Sequence, residues 1–145
     1  MKYRTLKTFA LVGFLSMLAA AASVQAQSRN TIEANIPFDF AVGDTILKAG
    51  QYVVERVDMQ RLVVMSTNGK VRVFALAPRN VERTRNDAPE RLVFHHYADI
   101  YFLSEAWING NGNGLYPSKA ERRVGRELAK TNGKPERTEI LARRN

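Results

Sequence analysis

Between Thr31 and Val42 apolar and polar positions alternate. Ile32, Ala34, Ile36, Phe38, Phe40 and Val42 share one parity; Thr31, Glu33, Asn35 and Asp39 share the other. A period of two over this length predicts a strand with one buried face. Pro37 cannot donate to a ladder, so the strand lies at an edge or bends at Pro37, and Gly43-Asp44 ends it. Short strands follow at Thr45–Lys48 and Gln51–Val57, the second rich in β-branched bulk. Arg61–Ser66 and Val71–Leu76 flank Asn68-Gly69, which predicts a hairpin with a type I′ turn.

The densest apolar stretch is RLVFHHYADIYFLSEAWI, Arg91 to Ile108. It holds Phe94, Tyr97, Tyr101, Phe102 and Trp107 and both histidines of the chain. Two apolar runs around Ala98-Asp99 predict a second hairpin. A two-residue loop there pairs Tyr97 with Ile100, His95 with Phe102 and Val93 with Ser104. One face then carries Val93, His95, Tyr97, Ile100, Phe102, Ser104 and Ala106. The other carries Leu92, Phe94, His96, Tyr101, Leu103, Glu105 and Trp107. Both faces are largely apolar, so both should be covered.

Between the hairpins, Pro78–Glu90 is charged and proline-bounded and is predicted as a long loop. Asn109–Gly114, NGNGNG, is predicted as a flexible loop tip. Ser118-Lys119-Ala120-Glu121 is a capping box that opens a helix running to Lys130. Ala120, Val124 and Leu128 form its narrow apolar stripe. Thr131-Asn132-Gly133 and Pro135 stop it. Arg137–Ala142 is a last strand, and Arg143–Asn145 a frayed end. The pattern predicts a mainly β fold: a single antiparallel β-sandwich or small β-barrel of about eight strands with one C-terminal helix, about 119–130. Within it, that helix should cover part of the second face of the central hairpin.

The N-terminus adds an address. Lys2, Arg4 and Lys7 precede the apolar run Phe9–Ala22, and Val24-Gln25-Ala26 places small residues at −3 and −1. This is the pattern of a Sec-type signal peptide over 1–26, with cleavage before Gln27. The apolar run is shorter than the roughly 20 residues that span a bilayer. The mature part, 27–145, is then one β-rich domain, exported to the periplasm or beyond. Removing three cations from a net charge of +8 leaves +5. The chain has no cysteine, which excludes disulfides, thiol chemistry and Cys-rich zinc sites.

IPFDFAVGDTILKAGQYVV (Ile36–Val54), LVFHHYADIYFLSEAW (Leu92–Trp107) and PSKAERRVGRELA (Pro117–Ala129) together resemble a family of small exported bacterial proteins. Its members pair an IPFDF-VG-x-L-x-AG-Y opening with an LVFH-x-Y-x-D-x-YFLS-x-W hairpin and a charged AER helix. The resemblance covers nearly the whole mature part. It implies export and a single domain, and carries no activity, cofactor or catalytic residue.

Candidate chemistry is sparse. His95, His96, Asp99 and Glu105 are metal-ligand types, but neighbouring histidines on a strand point to opposite faces, so no metal set and no cofactor is expected. Ser104, His96 and Asp99 are the residue types of a hydrolytic triad, without a G-x-S-x-G elbow. Asp99 and Glu105 could form a carboxylate pair. No P-loop or dinucleotide fingerprint is present. Tyr97, Tyr101, Phe102 and Trp107 are candidates to line an apolar ligand pocket. Arg122, Arg123, Arg126 and Lys130, with the basic long loop, are candidates to bind an anionic surface. The leading expectation is a non-enzymatic exported binding or structural protein whose partner is an anionic envelope surface or another protein, with nucleic acid excluded by export. A small apolar-ligand carrier is the alternative, and a hydrolase comes third.

Overall fold

The structure is a computed structural model that describes residues 30–81 and 89–144. The expected signal peptide, its expected cleavage site and most of the expected long loop lie outside the described residues. The strands are β1 (Thr31–Ile36), β2 (Phe40–Val42), β3 (Thr45–Leu47), β4 (Gly50–Arg56), β5 (Arg61–Ser66), β6 (Arg72–Leu76), β7 (Arg79–Val81), β8 (Arg91–Tyr97), β9 (Ile100–Ile108), β10 (Asn111–Gly114), β11 (Glu136–Leu141) and β12 (Arg143–Arg144). The helix α1 spans Lys119–Lys130, as the capping signals predict.

The strands form two sheets, ordered β12-β1-β4-β5-β6 and β11-β8-β9-β10-β7. The arrangement is a sandwich, mainly β, rather than a closed barrel. The chain changes sheet four times: between β3 and β4 at Lys48-Ala49, and at three places where a proline or a small residue interrupts a strand. At Pro37–Asp39 the alternating segment bends, sending β1 to the first sheet and β2 to the second. At Ala77-Pro78 it passes from β6 to β7, and at Ala142 from β11 to β12. Pro37 therefore marks a bend, one of the two options its missing N–H allows. The core lies between the sheets, where Ile32, Ile36, Val54, Leu62, Val64, Leu92 and Phe94 are fully buried.

Four local expectations are corrected. The described residues form twelve short strands against the expected eight or so: β2 is split from β1 at Pro37, and β7, β10 and β12 form in segments expected as loop or frayed end. The start of the expected long loop is β7, paired to β10. The supposedly frayed end contributes β12, with Ile32 opposite Arg144. The hairpin at Asn68-Gly69 forms, but around a four-residue loop closed by Ser66 N–H donating to Val71 O at 3.0 Å. Only Gly69 takes a positive φ, 70°, while the Asn68 carboxamide oxygen accepts from Lys70 N–H at 3.0 Å.

The largest correction is NGNGNG. It is no loop tip. Asn109 (φ 53°) and Gly110 (φ 68°) make the positive-φ turn that the Asn68-Gly69 pair does not. The remaining four residues are β10, between β9 and β7. Its glycines are required on the outer face. A Cβ on Gly112 would come within 2.9 Å of Val81 Cβ and 3.0 Å of the Trp107 ring.

The central hairpin pairs Tyr97 with Ile100 and His95 with Phe102, as expected. Beyond Phe94–Leu103 the register slips, and Val93 faces Glu105 instead of Ser104. The extra residue is a β-bulge at Ser104. It moves Glu105 and Trp107 to the outer face and Ala106 to the core, reversing their expected assignment. Residues 101–102 of β9 pair in parallel with β2, and residues 105–108 with β10.

Candidate functional site

The outer face of the second sheet carries the densest chemistry. α1 lies across its hairpin end. Ala120, Val124 and Leu128 pack on Ala41, Tyr97 and Phe102, forming a small core separate from the main one. The helix covers only this part of the face, in keeping with its narrow stripe. The rest is closed by side chains. The Arg91 guanidinium lies 4.1 Å from the Trp107 ring centroid, a cation–π contact. Trp107 Nε1–H donates to Glu105 at 2.9 Å. Arg137 bridges Glu105 and Glu139.

At the joint between α1 and the sheet sits a buried polar cluster. His95 Nδ1 is 3.1 Å from Glu121 Oε1, and Ser104 Oγ is 3.2 Å from His95 Nε2. Tyr97 O–H donates to the same Glu121 oxygen at 3.3 Å. Glu121 is 4% exposed and Ser104 5%. An ionised carboxylate only accepts, so with Glu121 ionised Nδ1 of His95 carries the proton. In neutral His95, Nε2 then accepts from Ser104. Burial, followed by the Glu121 charge and hydrogen bond, pushes the Tyr97 phenol up to about 12. Ser118 Oγ accepts from Glu121 N–H at 3.1 Å, so half of the expected capping box forms. The Glu121 carboxylate turns inward to His95 and Tyr97 instead of back to the cap.

The connectivity Ser Oγ–His Nε2, His Nδ1–carboxylate is that of a hydrolytic triad. The sequence set Ser104 beside His96 and Asp99 as residue types of a triad; the structure places neither of those two against it. His96 points to the opposite face, where it stacks on Tyr101 at 4.0 Å, and Asp99 is exposed on the hairpin turn. The real partners are His95 and, 26 residues along the chain from it, Glu121. No spacing motif signals that pairing. Ser104 sits at the bulge, on the same face as His95.

The four candidate aromatics do not converge on one pocket. Tyr97 and Phe102 lie under α1. Tyr101 stacks between His96 and Phe38, 3.8 Å from the Phe38 centroid. Trp107 lies between Arg91 and Gly112.

The candidate cations do share a surface. At about 100° per residue, Lys119, Arg122, Arg123, Arg126 and Lys130 fall within an arc of about 100°, opposite the Ala120-Val124-Leu128 stripe. All five are exposed. Arg122 donates to Pro117 O at 2.9 Å, and Lys130 pairs with Glu127 at 2.8 Å. Among the described residues no three metal-type side chains gather, and no helix is long and apolar enough to cross a membrane. No protein-family model, curated protein or solved structure matches the chain.

Proposed function

We propose that this is an exported, non-enzymatic binding protein that attaches to an anionic envelope surface through the cationic face of α1. The observation that carries the reading is the five-cation arc on the solvent side of a helix whose opposite side is fixed to the sheet. Packing holds the arc in one orientation, so the charges act together on a surface instead of pointing in all directions. Export is supported by the N-terminal pattern of Lys2, Arg4 and Lys7 followed by Phe9–Ala22.

The test is co-sedimentation of the protein with vesicles of anionic and of zwitterionic phospholipid. Binding should be selective for the anionic vesicles and weaken as salt rises, since exposed charges are screened beyond about 8–10 Å at physiological ionic strength. The charge-reversed Arg122→Glu/Arg123→Glu/Arg126→Glu protein, folded by circular dichroism, should lose it. Undiminished binding by that variant overturns the reading.

A hydrolase is the second reading, favoured by the Ser104–His95–Glu121 connectivity. Against it stands the burial of Ser104 beneath the sheet–helix joint, since an attacking hydroxyl must reach a substrate carbonyl. Hydrolysis of activated esters that disappears in Ser104→Ala would establish it over the binding reading.

A further inference from the structure

A second recognition surface lies at the other end of β9 from α1. There the sandwich opens into a cleft of about 510 Å³ between the β4–β5 turn of one sheet and β10 and β7 of the other. Its walls include Asn30, Arg56, Gln60, Asn80, Asn111 and Asn113. The alternation of NGNG explains how the asparagines arrive there. Gly112 faces out beneath Trp107, so Asn111 and Asn113 face in. Asn80, opposite Asn113 in the register, joins them. Their cross-strand partners on the same inner face are Ile108 and Ala106, both core residues. Three asparagines thus continue the face that carries Leu92, Phe94, Leu103, Ala106 and Ile108 in the core. Inward-facing polar residues of this kind call for an explanation, unlike exposed apolar ones.

The charges in the cleft are already committed. Arg56 donates to Asn30 Oδ1 at 3.0 Å and to Ile108 O at 3.4 Å. Asp58 accepts from Arg61 Nε and from Gln60 N–H. What remains to face a ligand is a set of neutral carboxamides. Asn113 is 7% exposed. Its Nδ2 donates across the sandwich to Met59 O at 3.2 Å, while its Oδ1 is the only buried side-chain oxygen without a partner among the described residues. Buried polar atoms in folded proteins nearly always have partners, so this oxygen is acceptor capacity at the cleft wall that the fold itself leaves unused.

We propose that this cleft binds a neutral polyhydroxylated ligand, a short stretch of oligosaccharide. A carboxamide offers a donor and an acceptor side by side, which matches the donor and acceptor character of sugar hydroxyls. The volume lies within the range of small-ligand sites, about 300–1,000 Å³. The exposed Met59 side chain beside the amides gives an apolar surface for the C–H face of a sugar ring. β10, which carries Asn111 and Asn113, is paired on both sides and offers an extended peptide no free backbone edge.

The experiment is saturation-transfer NMR and titration calorimetry of the exported chain with chitohexaose, cellohexaose and maltohexaose. At least one should bind. Asn80→Ala/Asn111→Ala, at two exposed positions, should raise its Kd about tenfold or more, the loss of about 1.4 kcal/mol, with the melting temperature unchanged. Arg122→Glu/Arg123→Glu/Arg126→Glu should leave it intact, separating this cleft from the anionic-surface site. Failure of all three oligosaccharides to bind, or binding that survives the double asparagine variant, overturns the proposal.

Discussion

Glu121 Oε1 on α1 lies 3.1 Å from Nδ1 of His95 on β8. This contact joins the helix to the sheet through a buried carboxyl group. The same oxygen accepts from Tyr97, so one carboxylate satisfies two side chains of the strand. Replacing Glu121 by Ala leaves the buried Tyr97 hydroxyl and the half-buried His95 ring without this partner. The expected loss is about 1–3 kcal/mol of unfolding free energy, measured by urea denaturation. Glu121→Gln, which keeps an acceptor oxygen, should lose less. Equal stability of wild type and Glu121→Ala would mean that the helix is held by its apolar stripe alone.

The raised Tyr97 phenol makes the fold sensitive to alkali. Its folded pKa, about 12, exceeds the ordinary value of about 10, so the native state holds the proton more tightly than the unfolded chain. The stabilisation is therefore complete below about pH 10 and is lost as pH rises toward 12. Two units correspond to about 2.7 kcal/mol at most. Tyrosinate absorbance during alkaline titration should show a late phase that disappears in Tyr97→Phe, and stability should decline through the same window. A Tyr97→Phe protein with an unaltered titration curve would refute the assignment.

Gly112 has no room for a side chain. A methyl group there meets Val81 Cβ at 2.9 Å and the indole of Trp107 at 3.0 Å. Gly112→Ala should destabilise the protein by about 1–3 kcal/mol through overpacking. Because the indole is the neighbour that must move, Trp107 fluorescence should shift in the folded variant. Thermal melting and emission spectra together check this, and a variant as stable as wild type with an unshifted spectrum would contradict it.

Ala98 holds φ at 50° in the two-residue turn of the central hairpin. A residue with a Cβ is disfavoured there by about 1–2 kcal/mol, and glycine is not. The greater freedom of glycine in the unfolded chain offsets part of that gain. Ala98→Gly is therefore expected to raise stability by about 0.5–1 kcal/mol, read as a higher urea midpoint at constant m-value. A lower midpoint would show that the turn tolerates its alanine without strain.

The sequence by itself determined the features that a single segment can specify. The alternation from Ile32 to Val42, the runs around Ala98-Asp99 and the Ser118–Lys130 capping pattern each report which side of a local element is apolar and where it ends. They were enough for the β class, the helix and its partial cover of the hairpin, and the opposite orientations of His95 and His96. Tertiary structure decided everything that depends on a distant partner. The bulge at Ser104 exists only in the pairing of β8 with β9, yet it moves Trp107 and Glu105 to the other face. Glu121 donates its N–H to the Ser118 cap, but its carboxylate turns to His95 and Tyr97, which lie within reach on β8. Asn109–Gly114 is locally polar and glycine-rich, as flexible loops are. Its last four residues form a strand because Trp107 and Arg79 lie across their glycines and β7 and β9 take up their backbone hydrogen bonds. A period of two marks faces; only pairing across the sheet selects the residues that meet.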